Sequence, residues 1–238
     1  GFYERAKQFS EYPSSTLTGV LAKVTYPLLA KVQDETKRLE SIYRKLIRVS
    51  FFIIAPLMIG AAAIAEPLFT VFLGDQWLPA VVFFQILSLA MMLYPIHAFN
   101  INILKVYGRS DLFLKLEIIK KIIITISITI AFQFGVIGLV WSSVFTSFIS
   151  LGVNMYYSSK LINYTILQQV KDLGGTFLIA VLMGALMHQT LIFTYQVGAI
   201  IQIISVSIIG MLFYFIVNYF FKNSPLHQVR QLYKARNL

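Results

Sequence analysis

No cysteine occurs in these 238 residues, so neither a disulfide framework nor a thiolate metal site is open to the fold. Charge is scarce as well. Asp, Glu, Lys and Arg make up 13% of the chain, about half of what a soluble domain carries to wet its surface. The three histidines, His97, His188 and His227, stand in separate regions without a close carboxylate. No HExxH, GxSxG, P-loop or dinucleotide fingerprint is present. A membrane glycosyltransferase, polymerase or acyltransferase needs a convergent set of acids, bases or metal ligands, and these residues supply none. No catalytic residue, metal ligand or cofactor is therefore assigned. No signal peptide is visible, and the first residue is Gly rather than Met, so the sequence reads as a piece that starts partway through a longer protein.

What is abundant is apolar. Hydrophobic residues make up 58% of the chain and the mean hydropathy is +0.74. Apolar runs of roughly 20 residues imply spanning helices about 30 Å long. Seven such runs stand at approximately 9–30, 47–73, 78–104, 112–133, 136–158, 173–190 and 195–221. The expectation is an all-α polytopic membrane bundle with a basic tail at 222–238.

The net charge of +10 raises the possibility of a nucleic-acid partner, which its distribution then removes. Of the 20 basic residues, 17 fall in alternate gaps. Lys31, Lys37, Arg38, Arg44, Lys45 and Arg48 occupy the first gap, and Lys105, Arg109, Lys115, Lys120 and Lys121 surround the third. Lys160 and Lys171 lie in the fifth, and Lys222, Arg230, Lys234 and Arg236 follow the last run. The gaps GDQWLP, QFGV and HQTLIFTYQ contain none. Lys and Arg resist translocation, so the chain is expected to begin outside, cross seven times and end in the cytoplasm. The positive charge then meets anionic lipid headgroups, and no nucleic-acid partner is expected.

The first run differs from the other six. Phe2, Ala6, Phe9, Pro13, Leu17, Val20, Val24 and Leu28 form one apolar stripe at helical spacing. Glu4, Gln8, Glu11, Ser15 and Thr18 form a second, polar stripe, and Arg5, Lys7 and Lys23 add cations. A two-faced spanning helix needs water, protein or a polar ligand on one side. A Lys or Arg at the bilayer centre costs about 2.5–3.5 kcal/mol on insertion scales. Two readings stay open. In one, Arg5 and Lys7 anchor in the outer headgroup region and Lys23 snorkels to the inner one. In the other, all three line a wet cavity and meet an anionic group.

Elsewhere, Pro27, Pro56, Pro67 and Pro95 lie within apolar runs, where each removes a backbone hydrogen bond and bends a helix. Such bends shape a cavity or are ordinary features of membrane helices. Glu66 is an ion site or a solvated helix-end carboxylate. His97, Asn100 and Asn102 read as packing or interhelical hydrogen bonding. Gly60 to Ala63 and Ala65 offer small surfaces for close helix contact.

Four stretches follow one another in order: GFYERAKQFSEYP, VTYPLLAKVQDETKRLESIYRKLIR, AIAEPLFTVFLGDQWLPA and LKVYGRSDLFLKLE. Together they resemble the later half of a Wzx-type oligosaccharide flippase, in the superfamily that includes MATE exporters and the lipid II flippase. The features that carry the resemblance are Gly1, Tyr3, Arg5 and Ala6 ahead of Pro13, and Pro27 and Gln33 before the basic loop. Gly74 with Trp77 at one turn and Gly108 with Arg109 at another complete them. The likeness covers residues 1–160; 161–221 matches only as two further hydrophobic segments.

The resemblance implies a two-lobed transporter of about twelve to fourteen helices in the bacterial inner membrane, of which these seven would be the eighth to fourteenth. It implies translocation, by alternating access, of an oligosaccharide carried on undecaprenyl pyrophosphate for surface polysaccharide or lipopolysaccharide assembly. Its partners would be that lipid-linked oligosaccharide, membrane lipids, a polysaccharide polymerase and chain-length proteins. Arg5, Lys7 and Lys23 would then be cavity cations for the pyrophosphate, with Glu11 tuning their field or joining ion coupling. The alternatives are a MATE-like cation or drug antiporter, a lipid II flippase and, more distantly, a glycan-processing enzyme.

Overall fold

A computed structural model describes residues 1–220 and places them in helices and short turns. The basic tail at 222–238, His227 within it and the expected helix end at 221 lie outside the described residues, as does the side chain of Val24. The helices are α1 (Phe2–Lys31), α2 (Thr36–Ala63), α3 (Ala65–Leu73), α4 (Val81–Met91), α5 (Tyr94–Val106), α6 (Ser110–Ala131), α7 (Gly135–Ser159), α8 (Ile166–Phe193) and α9 (Ala199–Phe220).

Among the described residues, five stretches are long and apolar enough to cross a membrane: Thr36–Ala63, Asp75–Val106, Ser110–Ser159, Ile166–Phe193 and Ala199–Phe220. The third is 50 residues long, but it is two helices. Gly135, at φ +66, follows a 3-10 turn (Phe132–Phe134), and α6 and α7 fold back on one another there. A side chain is strained at that φ, so glycine lets the chain reverse in three residues. α1 is 30 residues long yet too polar to qualify. Each of the seven apolar runs thus corresponds to helix, although two are broken. The run at 47–73 divides at Ile64 and the run at 78–104 at Met92–Leu93.

The breaks correct the expectation for two prolines. Pro67 and Pro95 sit in the first turns of α3 and α5, where a missing N–H is tolerated; they start helices instead of bending them. Pro56 does lie inside α2, and Pro13 and Pro27 lie inside α1.

A proline leaves the carbonyl four residues earlier without its helical donor, and inside a bilayer that carbonyl needs another. Pro56 releases the Phe52 carbonyl, and the Tyr214 hydroxyl of α9 donates to it at 2.9 Å. Pro95 releases the Met91 carbonyl, and the Ser14 hydroxyl of α1 donates to that one at 2.8 Å. At the α2–α3 break, the side-chain amide of Gln85 in α4 donates to the Ala62 carbonyl at 3.1 Å. The irregular points of the bundle are therefore also its cross-links.

The main buried cluster gathers α2 with α5, α8 and α9, around Tyr43, Ile54, Met58, Ile96, Phe99, Met183 and Tyr214. Small residues let these helices close up. An added Cβ at Gly184 would stand 2.5 Å from the Ile59 side chain, and one at Gly60 would be 3.4 Å from Met183. A second cluster, around Ala6, Phe69, Phe84, Leu87 and Val140, joins the start of α1 to α3, α4 and α7.

At the other end of α2, Arg44 pairs with Asp172 of α8 through both carboxylate oxygens, at 2.5 and 3.0 Å. The Tyr164 hydroxyl donates to the same carboxylate at 2.8 Å, and the Arg44 guanidinium lies 5.5 Å over the Tyr164 ring. Burial, with the neighbouring carboxylate second, pushes the Tyr164 phenol pKa above its ordinary value and keeps the hydroxyl a donor.

Candidate functional site

The packed face of α1 coincides with the apolar stripe only in part, at Ala6, Phe9 and Leu17. Its buried residues are Ala6, Ser10, Ser14, Thr18, Thr25 and Leu29, while Phe2, Val20 and Leu28 are exposed. Hydroxyls make such a polar packed face possible. Thr18 donates to the Ser14 carbonyl at 2.6 Å and Ser10 to the Lys7 carbonyl at 2.9 Å, so each polar side chain is satisfied while its small size admits a neighbour. Thr18, assigned to the polar stripe from sequence, thus faces inward.

The opposite face carries Arg5, Gln8, Tyr12, Ser15, Gly19, Lys23 and Tyr26 at helical spacing, and all of them are exposed. Tyr12 is 72% exposed. Arg5 and Lys23 lie five helical turns apart on this face, about 27 Å along the axis. They share a side without sharing a site.

A groove of about 630 Å³ runs along the first half of that face, closed at one edge by Trp77. Three of the four residues expected at a site, Arg5, Lys7 and Glu11, line it, together with Glu4, Gln8, Tyr12 and Ser15. Lys23 does not. The Arg5 guanidinium lies 5.4 Å from the Trp77 ring centre and hydrogen-bonds the Gln8 side chain at 3.3 Å. Phe2 meets the same indole edge-on at 5.7 Å. Lys7 pairs with Glu11 at 3.8 Å, and both side chains are nearly half exposed. An exposed i,i+4 pair of this kind contributes about 0.3–0.5 kcal/mol.

Of the groove residues not assigned to the site from sequence, Trp77 is the one contributed by an element other than α1. It belongs to the turn GDQWLP, and Gly74, at φ +87, ends α3 so that the 3-10 helix Asp75–Ala80 swings the indole onto α1. An aromatic at an interfacial turn carries no mark that separates a groove wall from a headgroup anchor. Glu66 and Asp75 are exposed and do not line the groove. Glu66 sits in the first turn of α3, where a carboxylate complements the helix dipole. No group of three or more metal-ligating side chains gathers among the described residues.

His97 and Asn100 form the interhelical hydrogen bonds expected of them. His97 contacts Ser147 and Asn154 of α7, and Asn100 accepts a hydrogen bond from Ser158 of the same helix. Asn102 is half-buried.

A profile of the family described as "Polysaccharide biosynthesis protein" matches residues 1–82. An uncharacterized membrane protein in the cps region of Klebsiella pneumoniae is 30% identical over 90 residues, covering 38% of this chain and 19% of that protein. The lipopolysaccharide biosynthesis protein WzxC of Escherichia coli K12 is 25% identical over 139 residues, covering 58% of this chain and 28% of the relative. The succinoglycan biosynthesis transport protein ExoT of Rhizobium meliloti is 27% identical over 77 residues, covering 32% and 16%. The chain thus matches less than a third of the length of each of these curated relatives. No solved structure matches it. The chain is a multi-pass membrane protein similar, at low identity, to Wzx-type proteins, and its likeness is to transport proteins and not to enzymes.

Proposed function

We propose that this chain forms part of the second lobe of a transporter that moves oligosaccharides linked to undecaprenyl pyrophosphate across the bacterial inner membrane, by alternating access, for surface polysaccharide assembly. The observation that carries the proposal is α1. It stands on an apolar bundle, buries a small hydroxyl-bearing face, and leaves Arg5, Gln8, Tyr12, Ser15 and Lys23 exposed. Polar groups at membrane depth are tolerated against water or protein and not against lipid, so this face borders a hydrated chamber.

Within that chamber Arg5 is pre-oriented by Trp77 and Gln8, and Lys7 is held only by a weak pair. A guanidinium in a fixed plane suits two-point contact with a phosphate, and an ammonium adds point charge. Lys23 lies on the same face, deeper along the helix, and would meet the anionic linkage at a different stage of passage. Glu11 sets the resting charge of Lys7. The alternation of basic and uncharged loops supports a groove at the outer side and a cytoplasmic C-terminus. The polymerase and chain-length proteins that act on the same lipid-linked units are the expected partners.

The test uses the full-length protein in cells lacking their own flippase, with surface polysaccharide as the readout at matched protein levels. Arg5→Ala combined with Lys7→Ala should reduce display by about tenfold or more, the loss of two charge-assisted contacts. Unchanged display would remove the groove from the transport path. Restored export of cationic drugs in place of polysaccharide would favour the antiporter reading.

A further inference from the structure

Between α5 and α7 runs a buried polar seam with one titratable side chain, and we infer that it is an intramembrane proton-binding site in which His97 takes the proton and the Asn154 amide turns over to receive it. The inference rests on three observations. His97 touches two polar groups of α7, one on each ring nitrogen: Nδ1 lies 2.8 Å from Asn154 Nδ2, and Nε2 lies 3.2 Å from Ser147 Oγ. An amide nitrogen only donates, so Nδ1 offers its lone pair and the imidazole proton stands on Nε2, facing the serine. The ring is therefore neutral as placed.

The second observation is the other end of the same amide. Asn154 is fully buried, and its Oδ1 has no hydrogen-bond partner among the described residues. A buried amide oxygen without a donor is costly, and such a group calls for an explanation. Rotating the amide by half a turn exchanges Oδ1 for Nδ2 opposite the ring and leaves Nδ2 in the unpartnered position, so the two orientations each keep one unpaired end. Oδ1 then accepts from an Nδ1–H, which is the proton that an imidazolium carries and the neutral ring lacks. Ser147 Oγ accepts from Nε2–H in both forms. One N–H bond forms at Nδ1 as one O–H bond of a hydronium ion breaks and releases water, and the Nε2–H bond is kept.

The third observation is the charge around the ring. Lys120 of α6 acts on His97 electrostatically, and it is ion-paired with Glu117 one turn earlier. From α2, the buried Tyr43 hydroxyl approaches the next rung of the seam, where Ser158 donates to Asn100. The other fully buried polar residues of α1 and α2 are uncharged: Ser10, Ser14, Thr18, Thr25 and Ser50. No carboxylate among the described residues faces the ring, and Lys120 opposes a charge on it in spite of its pairing with Glu117. The ring is therefore neutral at rest, and a proton that enters has to be held by the turned amide. His97 is only partly buried, which leaves a proton an approach. Because Asn154 lies on α7, occupancy alters a contact between helices and not just a side chain.

The experiment is nitrogen-15 solid-state NMR of the full-length protein, labelled at histidine and reconstituted in liposomes, with the resonances assigned by their loss in His97→Gln. The wild-type ring should show one unprotonated nitrogen, Nδ1, at high pH and two protonated nitrogens at low pH. Asn154→Asp, which supplies a permanent acceptor, should raise the midpoint by about 1–3 pH units. Asn154→Leu, which supplies none, should lower it; if that variant does not fold, Asn154→Asp decides alone. A ring that stays neutral wherever the protein remains folded, a neutral form protonated on Nδ1, or a midpoint indifferent to Asn154→Asp would overturn the inference. The readout is protonation, so the result holds whatever the cargo proves to be.

Discussion

Arg5 and Lys7, proposed here to meet an anion, stand two residues apart on α1 and are held differently. Arg5 is braced from two sides, by the Trp77 ring and by the Gln8 amide, so its guanidinium plane is set before anything binds. Lys7 is tied only to Glu11, by a contact that water and salt weaken. Preparation of the first kind depends on shape, of the second on charge. Arg5→Lys should therefore impair transport although it keeps the charge, by about two- to fivefold, the worth of an exposed stacking contact. Trp77→Leu should match that loss, because it removes the brace and leaves the cation. Transport assays of both variants at equal membrane abundance check the point. Full activity in Arg5→Lys would reduce Arg5 to a point charge.

At the scale of the helix, the apolar runs were readable because spanning length and composition leave few other structures. The interior of each run was less so. Pro67 and Pro95 announced irregularity, yet the chain breaks three residues ahead of each, since proline is comfortable in a first turn. The inward face of α1 was misread because serine and threonine count as polar on any hydropathy scale. In a membrane helix they can satisfy themselves on a carbonyl one turn back and present a small flank to a neighbour.

Proline and hydroxyl also work as pairs across helices, which a linear reading does not reveal. Pro56 and Tyr214 are such a pair, on α2 and α9, joined through the Phe52 carbonyl. Tyr214→Phe should destabilise the purified protein by about 0.6–1.7 kcal/mol. In a Pro56→Ala background the same change should be close to neutral, because the N–H regained at position 56 serves the carbonyl from within α2. Unfolding of the four proteins in detergent gives the coupling. Equal costs in both backgrounds would mean that the hydroxyl serves something other than the proline. The glycine contacts admit a parallel test. Gly184 faces the branched Ile59 side chain and Gly210 the unbranched thioether of Met187, whose sulfur, like the Ile59 methyl, is 2.5 Å from an added Cβ. Gly184→Ala should therefore destabilise more than Gly210→Ala, by about 1–3 kcal/mol against a smaller cost.

For the whole molecule, the question is how the last two helices are fastened to the rest. α8 and α9 lie beyond the stretch whose resemblance was specific, and nothing in their apolar sequence names a neighbour. The structure packs α8 along α2 and ties the pair at one end through Arg44, Asp172 and Tyr164. The partners stand 128 residues apart in sequence, so charge patterning within a helix could not have found them. Their exposures are unequal: the Arg44 side chain is 40% exposed and that of Asp172 only 11%. Removing one partner therefore does not mirror removing the other. Asp172→Asn leaves an arginine that water can serve and an acceptor that Tyr164 can still use. Arg44→Ala leaves a carboxylate that is poorly hydrated, supported by the Tyr164 hydroxyl and the field of Arg48. Arg44→Ala should cost more, by about 1–2 kcal/mol, and the loosening should concentrate at residues 160–165, where hydrogen exchange would accelerate while α1 and α4 keep their protection. Equal costs, or faster exchange spread evenly over all the described helices, would show that the apolar packing of α8 on α2 holds the two parts together without the ion pair.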